Sequence, residues 1–187
     1  MEPGIALILP GLGSSGPDHW QTWLERQDPR CLRVEQDEWD TPSCAAWVRR
    51  LDEALAQQAG PVVLVTHSSS NALVCHWALQ AAPAALAKVK AALLVAPSDP
   101  DGPNYPKGPT GFSPMPLAPL PFRSTVVAST NDPYIDAPLA RRYAEAWGSA
   151  FVLLEGAGHI NTASGYGEWP AGYALLQALR GLGLHAC

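Results

Sequence analysis

Ser68, Asp132 and His159 follow one another along a chain of 187 residues, each shortly after a run of apolar, largely β-branched residues. A hydroxyl, a carboxylate and an imidazole are the groups that acyl transfer through an activated serine requires. Serine is a weak nucleophile at its ordinary pKa. A neutral imidazole, with an ordinary pKa of about 6.5, can take the serine proton at pH 7 and return it to a leaving group. A carboxylate on the other ring nitrogen orients the ring and stabilises the imidazolium. In this arrangement Ser68 would be the nucleophile, His159 the general base and Asp132 the residue that orients the histidine.

Each of the three sits in a suitable local context. Val62-Val63-Leu64-Val65-Thr66-His67 reads as a buried strand running into a helix from Ser69, with Ser68 at the corner. In a G-x-S-x-G elbow that corner is strained and its flanking positions are small because strand and helix approach closely. Thr66 and Ser70 stand where that pattern has glycines, and a serine run before a helix is also an ordinary N-cap. Asp132 follows Val126-Val127-Ala128-Ser129, and His159 follows Phe151-Val152-Leu153-Leu154. The interval, 159 − 132 = 27 residues, accommodates one helix and one strand, so all three side chains emerge at one sheet edge. The Ser69 N–H, at a helix N-terminus, is a candidate oxyanion donor, and the loop Gly11-Leu12 would supply the second, with the Leu12 N–H preferred.

The elements that must hold these groups alternate between strand and helix, the pattern of βαβ units and a mostly parallel sheet. Six strands are expected at Ile5–Leu9, Leu32–Gln36, Val62–Thr66, Ala91–Ala96, Thr125–Ser129 and Phe151–Glu155. Helices are expected at 18–27, 43–58, 69–81, 136–147 and 168–181, the second opened by Thr41 as N-cap and Pro42 as N1. Trp47, Leu51 and Leu55 give that helix one apolar stripe. Pro97 to Pro121 holds nine prolines in 25 residues and cannot be a regular helix. Leaving the carboxyl edge of the fourth strand, it is expected to wall a substrate pocket. Gly11, His19, Trp20 and Phe112 are the pocket candidates.

Gly11-Leu12-Gly13-Ser14-Ser15-Gly16 also spells G-x-G-x-x-G, with Glu35 a further 35 − 16 = 19 residues on, which is the dinucleotide fingerprint on paper. Pro17 and Asp18 delay the following helix, whereas a pyrophosphate is held by a helix that begins among the glycines. A nucleotide-dependent oxidoreductase is the weaker alternative, and no cofactor or metal is expected. His67, His76 and His185 form no zinc-like spacing.

The bulk properties limit the classes open to the chain. Its length fits one domain, 1–187. A net charge of −5 without a Lys/Arg stripe gives no footprint for nucleic acid. The four cysteines, Cys31, Cys44, Cys75 and Cys187, are scattered and suggest buried thiols rather than a disulfide framework. The first apolar run is five residues long, too short for a signal or a membrane span, so the cytoplasm is expected.

Assembled, these blocks resemble the small serine hydrolase family that includes retinoblastoma-binding protein 9-like and related bacterial hydrolases. The resemblance rests on Pro10-Gly11 to His19-Trp20, Thr66 to Ser70, Asn131-Asp132-Pro133-Tyr134, Trp147-Gly148-Ser149, Gly158-His159-Ile160-Asn161 and Ser164-Gly165-Tyr166-Gly167-Glu168-Trp169-Pro170. It implies a compact α/β-hydrolase core, a three-layer sandwich with strand order 2-1-3-4-5-6 and no cap domain. It also implies a triad on Ser68, Asp132 and His159. The implied activity is hydrolysis of a small ester, or an amide, through an acyl-serine; with no apolar span in the sequence, no membrane partner is expected. A catalytically weak module that binds a protein partner is the alternative from another class.

Overall fold

The central strands are apolar at nearly every position because both of their faces are covered. In the computed structural model, which describes residues 4–181, Leu7 and Leu9 of β1 (Ile5–Leu9) join one core cluster while Ala6 and Ile8 join another. The same alternation separates Ala92 and Leu94 from Ala91, Leu93 and Val95 on β4 (Val89–Val95). On the first face lie α2 (Cys44–Ala56), α3 (Ser70–Gln80) and α5 (Ala137–Trp147), which bury Trp47, Leu51, Leu55, Trp77 and Trp147. On the second lie α1 (Trp20–Gln27) and α6 (Pro170–Leu179), which bury Trp20, Leu24, Leu176 and Leu179. The result is the expected three-layer sandwich.

With β2 (Cys31–Arg33), β3 (Val62–His67), β5 (Arg123–Ser129) and β6 (Ala150–Leu154), the strands form one sheet in the order β2-β1-β3-β4-β5-β6. Every neighbouring pair is parallel. The carboxyl ends of β3, β5 and β6 therefore share an edge, which gathers the loops that bear Ser68, Asp132 and His159. No helix among the described residues is long and apolar enough to cross a membrane.

Several boundaries differ from expectation, two of them for evident local reasons. The second strand is shorter and earlier than Leu32–Gln36, since its one partner is β1 and the pairing ends at Ile8 with Arg33. Helix α2 is capped by Ser43, whose side chain accepts the Ala46 N–H, and not by Thr41. Pro42 cannot be its first helical residue because its carbonyl accepts the Thr110 N–H, while Cys44 N–H donates to Thr110 O; the segment is thus held extended as a bridge. A short helix α4 (Pro83–Leu86) was not foreseen. His185 and Cys187 lie outside the described residues.

The Pro97–Pro121 loop is fastened at several points. Asp99 N–H donates to Tyr134 O, Asn104 Nδ2 donates to Pro133 O, and the Tyr105 hydroxyl donates to Ser69 Oγ at 2.9 Å. With the Thr110 bridge, these contacts tie the loop to two helix entrances and to the turn after β5.

Candidate active site

Strand β3 ends at His67, and Ser68 turns the chain into α3 with φ of +58°, a conformation that costs a residue with a Cβ about 1 kcal/mol or more. Asn71 holds this turn. Its Nδ2 donates to Ser68 O at 2.8 Å and to Val95 O at 2.9 Å, and its Oδ1 accepts the Thr66 hydroxyl at 2.7 Å. Ser70 donates its hydroxyl to Pro10 O. The two hydroxyl residues that replace glycines are thus both bonded, and the close approach is accommodated instead at Gly11. A Cβ added there would lie 2.7 Å from Ser68 Cβ and 3.1 Å from His67 O.

The other two groups meet Ser68 in a line. His159 Nε2 lies 2.9 Å from Ser68 Oγ, and its Nδ1 lies 2.8 and 3.0 Å from the two Asp132 oxygens. Asp132 accepts only, so Nδ1 carries the ring proton and Nε2 accepts the Ser68 hydroxyl. Asp132 Oδ1 also accepts the Tyr134 N–H at 2.9 Å. Both Asp132 and His159 are at least nine-tenths buried. The loops that carry them are cross-linked: Asn131 Oδ1 accepts the Gly158 N–H at 2.7 Å, and Thr130 Oγ1 accepts the Gly156 N–H at 2.9 Å. Gly158 has φ of +56°, and a Cβ there would fall 2.4 Å from Ser164 Oγ, the atom that accepts the His159 N–H.

A cavity of about 420 Å³ opens over Ser68, lined among others by Leu12, His19, Ser69, Ser98, Tyr134 and His159. Leu12 and Ser69, the two expected oxyanion residues, thus flank Ser68, and neither N–H has an acceptor among the described residues. Ser98 and Pro106 bring the proline-rich loop to the wall, as anticipated. Gly11, expected in the pocket, is not among its lining residues; it packs against Ser68 instead, where any Cβ would collide with Ser68 Cβ.

Two further pocket candidates are corrected. Trp20 is fully buried and does not line the cavity; its Nε1 donates to Ile160 O at 2.8 Å. It braces the loop of His159, in which Ile160 is held at φ of +47°. Phe112 is also buried, edge-on to Trp47, with its carbonyl accepting from His76 Nε2. The Thr110 bridge folds that part of the loop over α2 and so turns Phe112 into the core. In the glycine-rich loop, α1 starts only at Trp20, with His19 as its N-cap, so no helix N-terminus stands among the glycines.

A model of the family described as serine hydrolase matches residues 6–178. The chain belongs to the serine hydrolase family. Its structure is similar to that of a protein from Pectobacterium atrosepticum described as a YdeN-like hydrolase, at 30% identity and a TM-score of 0.79, covering 95% of this chain and 89% of that one. The ydeN gene product of B. subtilis matches at 16% identity with a TM-score of 0.73 over 94% and 98% of the two chains. Esterase 2 of Thermogutta terrifontis matches at 17% identity and 0.63 over 96% and 83%. The last two show the α/β-hydrolase fold alone. A search of curated proteins returned no match.

Sequence reading missed several residues that shape this serine hydrolase's site. Gln21 is fully buried and links the ends of β1 and β3, with Nε2 donating to Leu9 O and Val65 O while Oε1 accepts the Ser15 hydroxyl. Tyr134 packs its ring against His159, with centroids 4.5 Å apart. His67, read from the sequence only as part of the elbow strand and as no zinc ligand, donates from Nε2 to His159 O at 2.9 Å. Gln21 directly follows His19-Trp20, which closes one of the blocks that carry the resemblance, and Tyr134 stands two residues after Asp132.

Burial and the neighbouring His159 and His19 hold His67 well below the usual histidine pKa. Burial, Arg33 and His159 bring His19 down to about 4. In the unfolded chain both titrate near 6.5, so below that pH the unfolded state binds protons that the folded state refuses. Stability is therefore expected to fall as pH drops from about 6.5 toward 4. At pH 5, His19 alone should cost about 2 kcal/mol. Urea midpoints at pH 7.5 and pH 5 measure this, and a His67→Gln variant should show a flatter dependence. An equal midpoint at the two pH values would contradict it.

Proposed function

We propose that this serine hydrolase is a carboxylesterase that cleaves small, uncharged esters through an acyl-enzyme on Ser68. The observation that carries the reading is the unbroken line from Asp132 through His159 to Ser68 Oγ, at hydrogen-bond distance throughout. Ser68 attacks the carbonyl carbon, its proton passes to His159 Nε2, and the carbonyl oxygen takes up negative charge beside the Leu12 and Ser69 N–H groups. His159 then protonates the leaving alcohol, and a water molecule activated by the same nitrogen releases the acid.

The substrate class follows from the cavity. At about 420 Å³ it suits a compact ligand, and among the described residues no Lys, Arg, Asp or Glu lines it. An amide is the harder variant of the same chemistry. The likeness to a protein described as an esterase is in keeping with the ester reading. The buried, unpaired thiols of Cys31, Cys44 and Cys75 suit the cytoplasm. A catalytically weak module that binds a protein partner is the alternative; the hydrogen bonds of Thr66 to Asn71 and of Ser70 to Pro10, at the two positions that lack the elbow glycines, favour the enzyme reading.

Labelling with a fluorophosphonate tests the proposal. The folded protein should label, with the adduct mapping to Ser68 by mass spectrometry. A folded protein that fails to label would return the weight to the binding module.

A further inference from the structure

Resting on the reading of Ser68 as nucleophile, we propose that Ser98 is a further catalytic residue, one that donates a hydrogen bond to Ser68 Oγ and strengthens it while that oxygen carries charge. Ser98 Oγ lies 3.0 Å from Ser68 Oγ. Two hydroxyls at that distance leave open which one donates, but the surrounding groups decide it. His159 Nδ1–H is directed at Asp132, so His159 Nε2 is an acceptor and the one proton of Ser68 is committed to it. Ser98 is then the donor, and Ser68 Oγ is its sole hydrogen-bond partner among the described residues.

The backbone fixes Ser98 in this role. Ala96, just after β4, sits at φ of +46°, with its N–H held to Val127 O at 2.8 Å. Asp99 N–H, on the other side, is held to Tyr134 O at 3.1 Å. Between these anchors Ser98 is buried to 3% exposure, with its one opening toward the cavity. The strain thus lies at Ala96, two residues before Ser98, a non-glycine residue held in a costly conformation by the contacts that fix the start of this segment.

The chemistry assigns the hydrogen bond its moment. As Ser68 Oγ forms its bond to the carbonyl carbon, the serine proton moves to His159 and the carbonyl π pair moves to the oxyanion. Partial charge on Oγ peaks during this transfer, and a hydrogen bond to a charged acceptor is roughly twice as strong as one to a neutral acceptor. In the acyl-enzyme Oγ is an ester oxygen and a poor acceptor. When water expels it, the Oγ–C pair returns to Oγ and the donor acts again before His159 reprotonates it. Ser98 keeps its own proton throughout, so both half-reactions gain and substrate binding does not.

Ser98→Ala is expected to lower kcat, and the second-order rate of fluorophosphonate labelling, about tenfold, equivalent to about 1.4 kcal/mol. KM should stay within about twofold, and Ser98→Thr, which retains the hydroxyl, should recover most of the rate. A residue that merely packs would alter melting temperature and KM and would not be rescued by threonine. Ser98→Gly provides a second removal of the hydroxyl, and either folded variant decides. Labelling at the wild-type rate or faster in a folded variant without the hydroxyl would overturn the proposal. Wild-type protein that does not label would instead overturn the role of Ser68, so the two failures are distinguishable.

Discussion

Ser68→Ala is expected to lower kcat toward a short activated ester such as p-nitrophenyl acetate by about 10⁴- to 10⁶-fold, the range over which removal of a triad nucleophile acts. The fold should persist. Alanine also has a Cβ, so the turn at φ of +58° is no more strained than before, and Asn71 holds it through the backbone oxygen of residue 68. What the variant loses is the hydroxyl that His159 Nε2 and Ser98 Oγ share, and both of those residues line the cavity, where water can replace it. A melting temperature within a few degrees of wild type should therefore accompany near-complete loss of turnover. Retention of more than about a tenth of the rate would remove Ser68 from the mechanism.

Asp132→Asn is expected to reduce kcat about 10⁴-fold with little change in KM, for a reason specific to this site. Asp132 Oδ1 accepts the Tyr134 N–H, and both of its oxygens face His159 Nδ1. An asparagine has one oxygen to offer, and the Tyr134 N–H, which already donates to residue 132, claims it. The amide NH₂ then faces His159 Nδ1 and donates to it, which forces the ring proton onto Nε2. In that tautomer Nε2 cannot receive the Ser68 proton, although every heavy atom stays in position. Steady-state kinetics together with slowed fluorophosphonate labelling would test this, and a loss of less than about tenfold would show that the carboxylate does not set the tautomer.

The expected triad was legible because its members depend on chain order and on strands buried on both faces. Strand β1 was bounded correctly at Ile5 and Leu9, where Pro10 and Gly11 end an uninterrupted apolar run. The edge strand β2, with one neighbour, lacked such a signal and was placed too late. Side-chain direction inside the proline-rich loop could not be read at all, since a segment without periodicity has no face. Phe112 and Ser98 belong to the same loop, and only the Thr110 bridge and the two anchors around Ser98 send one inward and the other to the cavity. Trp20 illustrates the same limit, because its partner, Ile160 O, is 140 residues away in sequence. Hydrogen bonds of that span leave no local pattern.

Strand β6 lies at the margin of the sheet with β5 as its one neighbour, and it leads directly into the loop of His159, whereas Ser68 follows the central β3. The half-life of activity on heating is thus expected to be set by fraying at that margin, ahead of the melting of the interior, because less protected units open at lower free energy than the core. A laboratory selection for surviving activity would accordingly gather its replacements around β6, and variants improved in this way would gain working lifetime with little change in the unfolding of the rest of the molecule.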